Sequence, residues 1–187
     1  DKTVSIDNKN NLRTAIAEAA FLTGLERNAD VVMMASYAPL FAHVDGWQWT
    51  PDLIWVDNLR SYGSANYQVQ KLYSTNKGTH TVPALFNTGQ DSLYASAVID
   101  KNTNEVIIKV VNSAPIEKET CFAFEGVKKL GVQALVTVLT GESLEKVNSL
   151  DLPLAISPVT APMAVKGKKV EISLKPNSLT VIRVALK

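Results

Sequence analysis

The hydrophobic period of this chain changes at Gly78, and that change restricts its fold more than any other feature. Before Gly78 apolar residues recur at threes and fours, and after it they recur at every second position. The first spacing lays a stripe along a helix, and the second puts alternate side chains on one face of a strand. Residues 11–28 carry Leu12, Ala15, Ile16, Ala19, Leu22 and Leu25 on one such stripe, with Asn10 or Asn11 placed to cap it. A second helix is expected from Ala65, capped by Ser64, with Ala65, Val69, Leu72 and Tyr73 on its stripe and Asn76-Lys77-Gly78 as its stop. Between the helices, residues 31–35 (VVMMA) are apolar or small at every position, as expected of a parallel strand covered on both faces. An irregular stretch, residues 44–63, holds all three tryptophans.

After Gly78, Leu93, Ala95, Ala97 and Ile99 alternate with their neighbours, and Lys101-Asn102-Thr103-Asn104 turns the chain into EVIIKVV. That is a β-hairpin. Strand-like runs follow at residues 120–124, 133–140, 170–174 and 179–185, separated by clusters of Gly, Pro and Asn. Short strands at this spacing predict an antiparallel β-sandwich over residues 79–187 whose runs bury one another's inner faces. The fold class is mainly β with an N-terminal α/β remnant. A lone parallel strand cannot bury both faces, so residues 1–78 read as the closing end of a larger α/β structure.

Charge and cysteine content narrow the partners. The 187 residues include 19 Lys+Arg against 18 Asp+Glu, which creates no field to draw the chain to nucleic acid or to a membrane surface. No apolar run is long enough to span a bilayer. Cys121 is the single cysteine, which excludes an internal disulfide framework, and within TCFAF it reads as a buried strand residue. His43 and His80 are too few and too far apart for a metal site, and no motif calls for a cofactor. The N-terminus has no charged-then-apolar signal layout, and the location is left open: extracellular or periplasmic if a cleaved signal precedes Asp1, otherwise cytoplasmic.

The stretch GLERNADVVMMASYAPLFAHVDGWQWTPDLIWVDN, followed by YGSANYQVQKLYSTNKG, resembles the C-terminal end of the catalytic region in α-L-arabinofuranosidases of glycoside hydrolase family 51. GLERN, ASYAPL, the W-x-x-D-L-I-W-x-D-N run and the Y-x-V-Q-K-L helix occur in order with short spacers. The resemblance implies the last helix, strand and helix of a (β/α)8 barrel over residues 1–78, followed by a β-sandwich over residues 79–187. Residues 11–28 would be the seventh barrel helix, 31–37 the eighth strand and 65–76 the eighth helix. Residues 44–63 become the eighth βα loop, on the face where such barrels place their active sites.

Retaining glycosidases need two carboxyl groups about 5 Å apart. The family carries its two glutamates on the fourth and seventh barrel strands, so the resemblance implies that the catalytic pair lies before Asp1. Trp47 and Trp49 then become candidates for stacking on sugar faces, and Asp52 for a substrate contact, with packing on the barrel rim and turn stabilisation as the competing accounts. Asp57 is read mainly as a turn residue, Trp55 as core, and Glu18 and Glu26 as exposed or salt-bridged helix residues. The implied function is that of a retaining, exo-acting α-L-arabinofuranosidase that removes terminal arabinofuranose from arabinan or arabinoxylan. Its expected partners are an arabinose-containing polysaccharide or oligosaccharide and the rest of the barrel, with homo-oligomerisation left open. The alternative is a noncatalytic β-sandwich module that binds carbohydrate or another protein. Against it, the aromatics after Gly78 are Phe86, Tyr94, Phe122 and Phe124, which are spaced as core residues or stand singly.

Overall fold

Helix α1, Leu12–Arg27, buries Leu12, Ala15, Ile16, Ala19 and Leu22, the stripe set out by the sequence, and Asn11 caps it by accepting a hydrogen bond from the Thr14 N–H at 3.0 Å. The computed structural model describes residues 9–86 and 91–187. Helix α2, Ala65–Thr75, begins at its Ser64 cap and ends at Asn76. Its 11 residues are fewer than the roughly 12–15 at which an isolated helix becomes even marginally stable. Packing therefore holds it: Ala65, Val69 and Leu72 lie in one core with the α1 stripe. The small Ala19 lets the helices approach, and Tyr73 donates its hydroxyl to the Ala19 carbonyl at 2.7 Å.

Between the helices run three short strands, β1 (Phe41–His43), β2 (Ile54–Val56) and β3 (Ser61–Gly63), with β1 parallel and β3 antiparallel to β2. After α2 come β4 (His80–Val82), β5 (Leu93–Asp100), β6 (Glu105–Asn112), β7 (Lys118–Ala123), β8 (Leu130–Leu139), β9 (Val159–Ala164), β10 (Lys169–Leu174) and β11 (Ser178–Leu186). Six of them form an antiparallel sheet in the order β4-β5-β6-β11-β8-β9, and β7 pairs with β10 in a second sheet. The predicted hairpin is β5–β6, with Ala97 opposite Ile108.

The molecule has three layers. On one face of the large sheet Val106, Ile108, Val110, Ile182 and Val184 pack against Val170, Ile172 and Leu174 of the small sheet. On the other, Ile107, Val111, Leu179 and Val181 pack against α1 and α2. Gly78 marks the passage from helix to sheet for a steric reason: a Cβ there would stand 2.6 Å from the Val98 Cβ and 2.8 Å from the Ile99 carbonyl oxygen.

Two expectations are corrected. Residues 31–35 belong to no strand, and Met33 is 85% and Met34 88% exposed. A parallel strand exists through the neighbours that accept and donate its backbone bonds, and no described strand of this chain lies beside this segment. Cys121 is exposed. On β7 it falls in phase with Glu119 and Ala123, while Phe122 turns toward the core.

Candidate functional site

The aromatic stretch is ordered by its own turns and by the sandwich. Asp57 closes the β2–β3 turn: its Oδ1 accepts from the N–H groups of Leu59 at 2.8 Å and Arg60 at 2.5 Å, and its Oδ2 from Arg60 Nε at 3.0 Å. Those backbone donors hold its carboxyl below the usual carboxylate range. The turn reading of Asp57 is the one the structure carries. A Cβ on Gly63 would meet the Tyr67 ring at 2.2 Å, so a glycine is required where β3 enters α2.

The connection from β8 to β9 wraps this region. Helix starts leave backbone N–H groups unpaired, and here the N–H groups of Leu12 and Arg13 donate to the carbonyls of Lys146 and Leu144 at 3.0 and 2.9 Å. Asn148 is buried, donates Nδ2 to the carbonyls of Gly63 and Ile156, both at 3.0 Å, and accepts from the Ile156 N–H at 2.7 Å. One side chain thus ties the aromatic stretch to the sandwich.

A cavity of about 300 Å³ opens between these two parts, with Trp47, Trp55 and Tyr62 on one side and Asn148 and Ser149 on the other. Trp47 and Trp55 meet with ring centroids 6.4 Å apart and planes at 82°. Their indole N–H groups and the Tyr62 hydroxyl form no hydrogen bond with the described residues, and none of the three is sealed from solvent. Lys9 is the one charged residue among those described on the lining, and no carboxylate is among them. Trp49 lies elsewhere, 55% exposed, beside a second depression that it shares with Tyr37, Pro39 and Pro51.

Asp52 lies beneath. It is 2% exposed, and its Oδ2 is buried without a hydrogen-bond partner among the described residues. Burial pushes its carboxyl upward. Asn10 organises the surroundings, donating Nδ2 to the Tyr37 hydroxyl at 2.9 Å, the Asp52 carbonyl at 3.0 Å and Ser64 Oγ at 3.3 Å. Nearby, Glu18 accepts from the side-chain amides of Asn66 and Gln70 on α2, and burial raises its carboxyl against the effect of those two bonds.

Of the residues singled out in the sequence, Trp47 and Trp49 flank the same loop but face different hollows, and Asp52 lines neither. Trp55, expected in the core, is half-buried on the cavity wall. Asn148 carries no motif, Tyr62 enters only as part of the resembling stretch and Asn10 only as a possible helix cap, and the placement of all three depends on segments far away in sequence. Among the described residues no group of His, Cys, Asp and Glu is arranged to hold a metal ion.

Comparison with known proteins agrees with this architecture. Residues 2–178 match the family model described as the alpha-L-arabinofuranosidase C-terminal domain. An extracellular exo-alpha-L-arabinofuranosidase of Streptomyces chartreusis is 56% identical over 79 residues, 42% of this chain and 10% of that protein. Alpha-L-arabinofuranosidase 1 of Arabidopsis thaliana is 31% identical over 174 residues, 90% of this chain and 26% of that protein. An arabinose-bound α-L-arabinofuranosidase of glycoside hydrolase family 51 superposes with a TM-score of 0.89 at 33% identity, covering 96% of this chain and 28% of that one. The Thermotoga maritima enzyme, at 21% identity and a TM-score of 0.77, shares the fold. The chain spans about a quarter or less of the length of these curated relatives. With its helix pair, its unequal sheets and a family match running over nearly its whole length, the chain belongs to the α-L-arabinofuranosidase C-terminal domain family.

Proposed function

We propose that this chain is the C-terminal region of a retaining, exo-acting α-L-arabinofuranosidase that removes terminal arabinofuranose from arabinan or arabinoxylan. In this reading residues 1–78 close a catalytic barrel that carries the two glutamates, and residues 79–187 form the sandwich that supports it. The observation that carries it is the match of residues 2–178 to the alpha-L-arabinofuranosidase C-terminal domain, and the two hollows add aromatic side chains suited to a sugar with no described carboxylate on either lining. In this reading such surfaces bind and orient the sugar, and the carboxyl pair is supplied by the barrel. Trp47 and Trp49 are read as substrate-positioning residues at the rim, and Asp52 as a positioning residue whose Oδ2 is buried without a partner among the described residues.

Two measurements test this. The chain as given is expected to leave an aryl α-L-arabinofuranoside unhydrolysed. In the complete enzyme, Trp49→Ala or Asp52→Asn is expected to lower kcat/KM by about tenfold or more while both limbs of the pH profile stay in place. Turnover by the chain alone that is lost on changing one of its own carboxylates would overturn the assignment. Parental kinetics in both variants would reduce the loop to a structural role.

A further inference from the structure

We propose that the cavity between the aromatic stretch and the β8–β9 connection is a binding subsite for one neutral pentose ring, with the sandwich supplying part of its wall. The identity of the sugar rests on the arabinofuranosidase reading above. The presence of a binding site rests on the cavity itself.

Three observations support the site. First, Trp47, Trp55 and Tyr62 converge on one hollow, with the two indoles at 82° to one another. Two aromatic planes at right angles make a corner, which receives the apolar face of a sugar ring and its edge together. Second, the polar tips of these three residues have no partner among the described residues and remain open to solvent. Such tips are solvated in the free chain, and a ligand can take the place of that water. Here they stay available to ring hydroxyls. Third, the volume of about 300 Å³ lies at the small end of ligand pockets, which suits one ring rather than a chain of them.

The chemistry of the lining limits what enters. Its described lining lacks the pair of carboxyl groups that a glycosidase uses to cleave a glycosidic bond. Its function is to hold. With Lys9 as the one charged residue described there, the wall sets three aromatic rings among mostly uncharged polar side chains, in keeping with a neutral sugar. The wall is also fixed in shape. Asn148, which contributes to it, has both amide hydrogens on the carbonyls of Gly63 and Ile156 and its oxygen on the Ile156 N–H, so the β8–β9 connection sets the width of the opening.

The three tryptophans provide the test. With the full 187-residue chain labelled with nitrogen-15, each indole N–H gives its own signal. Titration with α-1,5-arabinotriose is expected to shift the Trp47 and Trp55 signals, whatever the response of Trp49 in the second depression. Trp55→Ala is expected to weaken binding about tenfold. Tyr62→Phe, which keeps the ring and the β2–β3 pairing, is expected to weaken it about threefold. Silence of Trp47 and Trp55, shifts confined to Trp49, unchanged affinity in both variants, or equal binding of maltotriose would each overturn the proposal. The outcome is separable from the catalytic reading. Responsive indoles in this chain beside a complete enzyme inert toward arabinofuranosides would uphold the subsite and remove the enzyme assignment. Silent indoles beside an active enzyme would do the reverse.

Discussion

At Asp52 the cost of a buried group and its proposed use meet in one side chain. Its Oδ2 has no partner among the described residues, and burial raises its carboxyl above the ordinary aspartate value. A carboxyl that binds its proton more tightly in the folded state than in the unfolded chain favours folding most at low pH. That advantage fades as pH rises through the folded-state value. Asp52→Asn is therefore expected to stabilise this chain at neutral pH, by about 1 kcal/mol, and to flatten the decline of Tm between acid and neutral pH. The same substitution is expected to lower kcat/KM in the complete enzyme. Greater stability joined to lower activity marks a residue kept for function, and a Tm that falls at neutral pH would show that Asp52 has a stabilising partner. The sequence brought Asp52 forward because the loop it sits in lies on the expected active face. Its burial was not legible, since it depends on Asn10 and Ser64 closing over the loop from outside it. Cys121 shows the opposite limit: its strand was readable, but the phase of that strand was not, because TCFAF places apolar or small residues on both faces.

Between elements, the α1–β6 contact holds a buried ion pair within a largely apolar layer. Lys109 projects from β6 between Ile107 and Val111, is 0% exposed, and reaches Glu26 of α1 at 2.6 Å. Its ammonium also lies 5.5 Å from the centre of the Tyr73 ring on α2, and Glu26 accepts from Ser96 Oγ of β5 at 2.5 Å. One carboxylate and one ammonium thus join both helices to two strands. Desolvation pulls the Lys109 pKa down and Glu26 opposes it. Breaking one half of such a pair strands a buried charge, whereas replacing both with apolar groups of similar size costs little. Glu26→Leu is expected to destabilise the chain by about 3 kcal/mol, and adding Lys109→Met to restore most of the loss, as read from urea unfolding. Equal stability of the single variant and the parent would show the pair to be inert. The sequence reading of Glu26 as exposed or salt-bridged was sound in kind, but its partner is 83 residues away and no local pattern points to it. Local signals were the readable ones throughout. Both helices, their caps at Asn11 and Ser64 and the β5–β6 hairpin follow from neighbouring residues. Strand β9 was missed because Pro162 argues against a strand; it is tolerated here because β9 lies at the sheet edge.

For the whole molecule the decisive feature is that the middle of the large sheet, β5, β6 and β11, is covered on both faces, while β8 and β9 leave Val132, Leu135 and Val159 exposed. Alternation along a strand normally signals one dry face and one wet one, and β5 obeys that rule only loosely, with residues 95–98 all buried. In β6 and β11 the alternation nearly vanishes: residues 106–112 and 178–182 are buried without a break. The run VIIKVV was thus the signal in the sequence for a third layer, and α1 and α2 are that layer. Removing them would uncover Ile107, Val111, Leu139, Leu179 and Val181, which are now almost fully buried, together with the charge of Lys109. An exposed apolar sheet face of that kind drives association. Residues 79–187 made alone are therefore expected to bind a hydrophobic dye and to self-associate. The 187-residue chain is expected to unfold in one transition, with the loss of helix and the loss of sheet coinciding, because one core joins both. The control is a shortened chain in which Ile107, Val111 and Leu179 are replaced by Thr, which leaves the inward face toward β7 and β10 untouched. It should become less prone to associate while keeping its strands. If the unmodified residues 79–187 instead stay monomeric, bind no dye and melt as cooperatively as the full chain, the helices are an addition to a complete sandwich and not one of its layers.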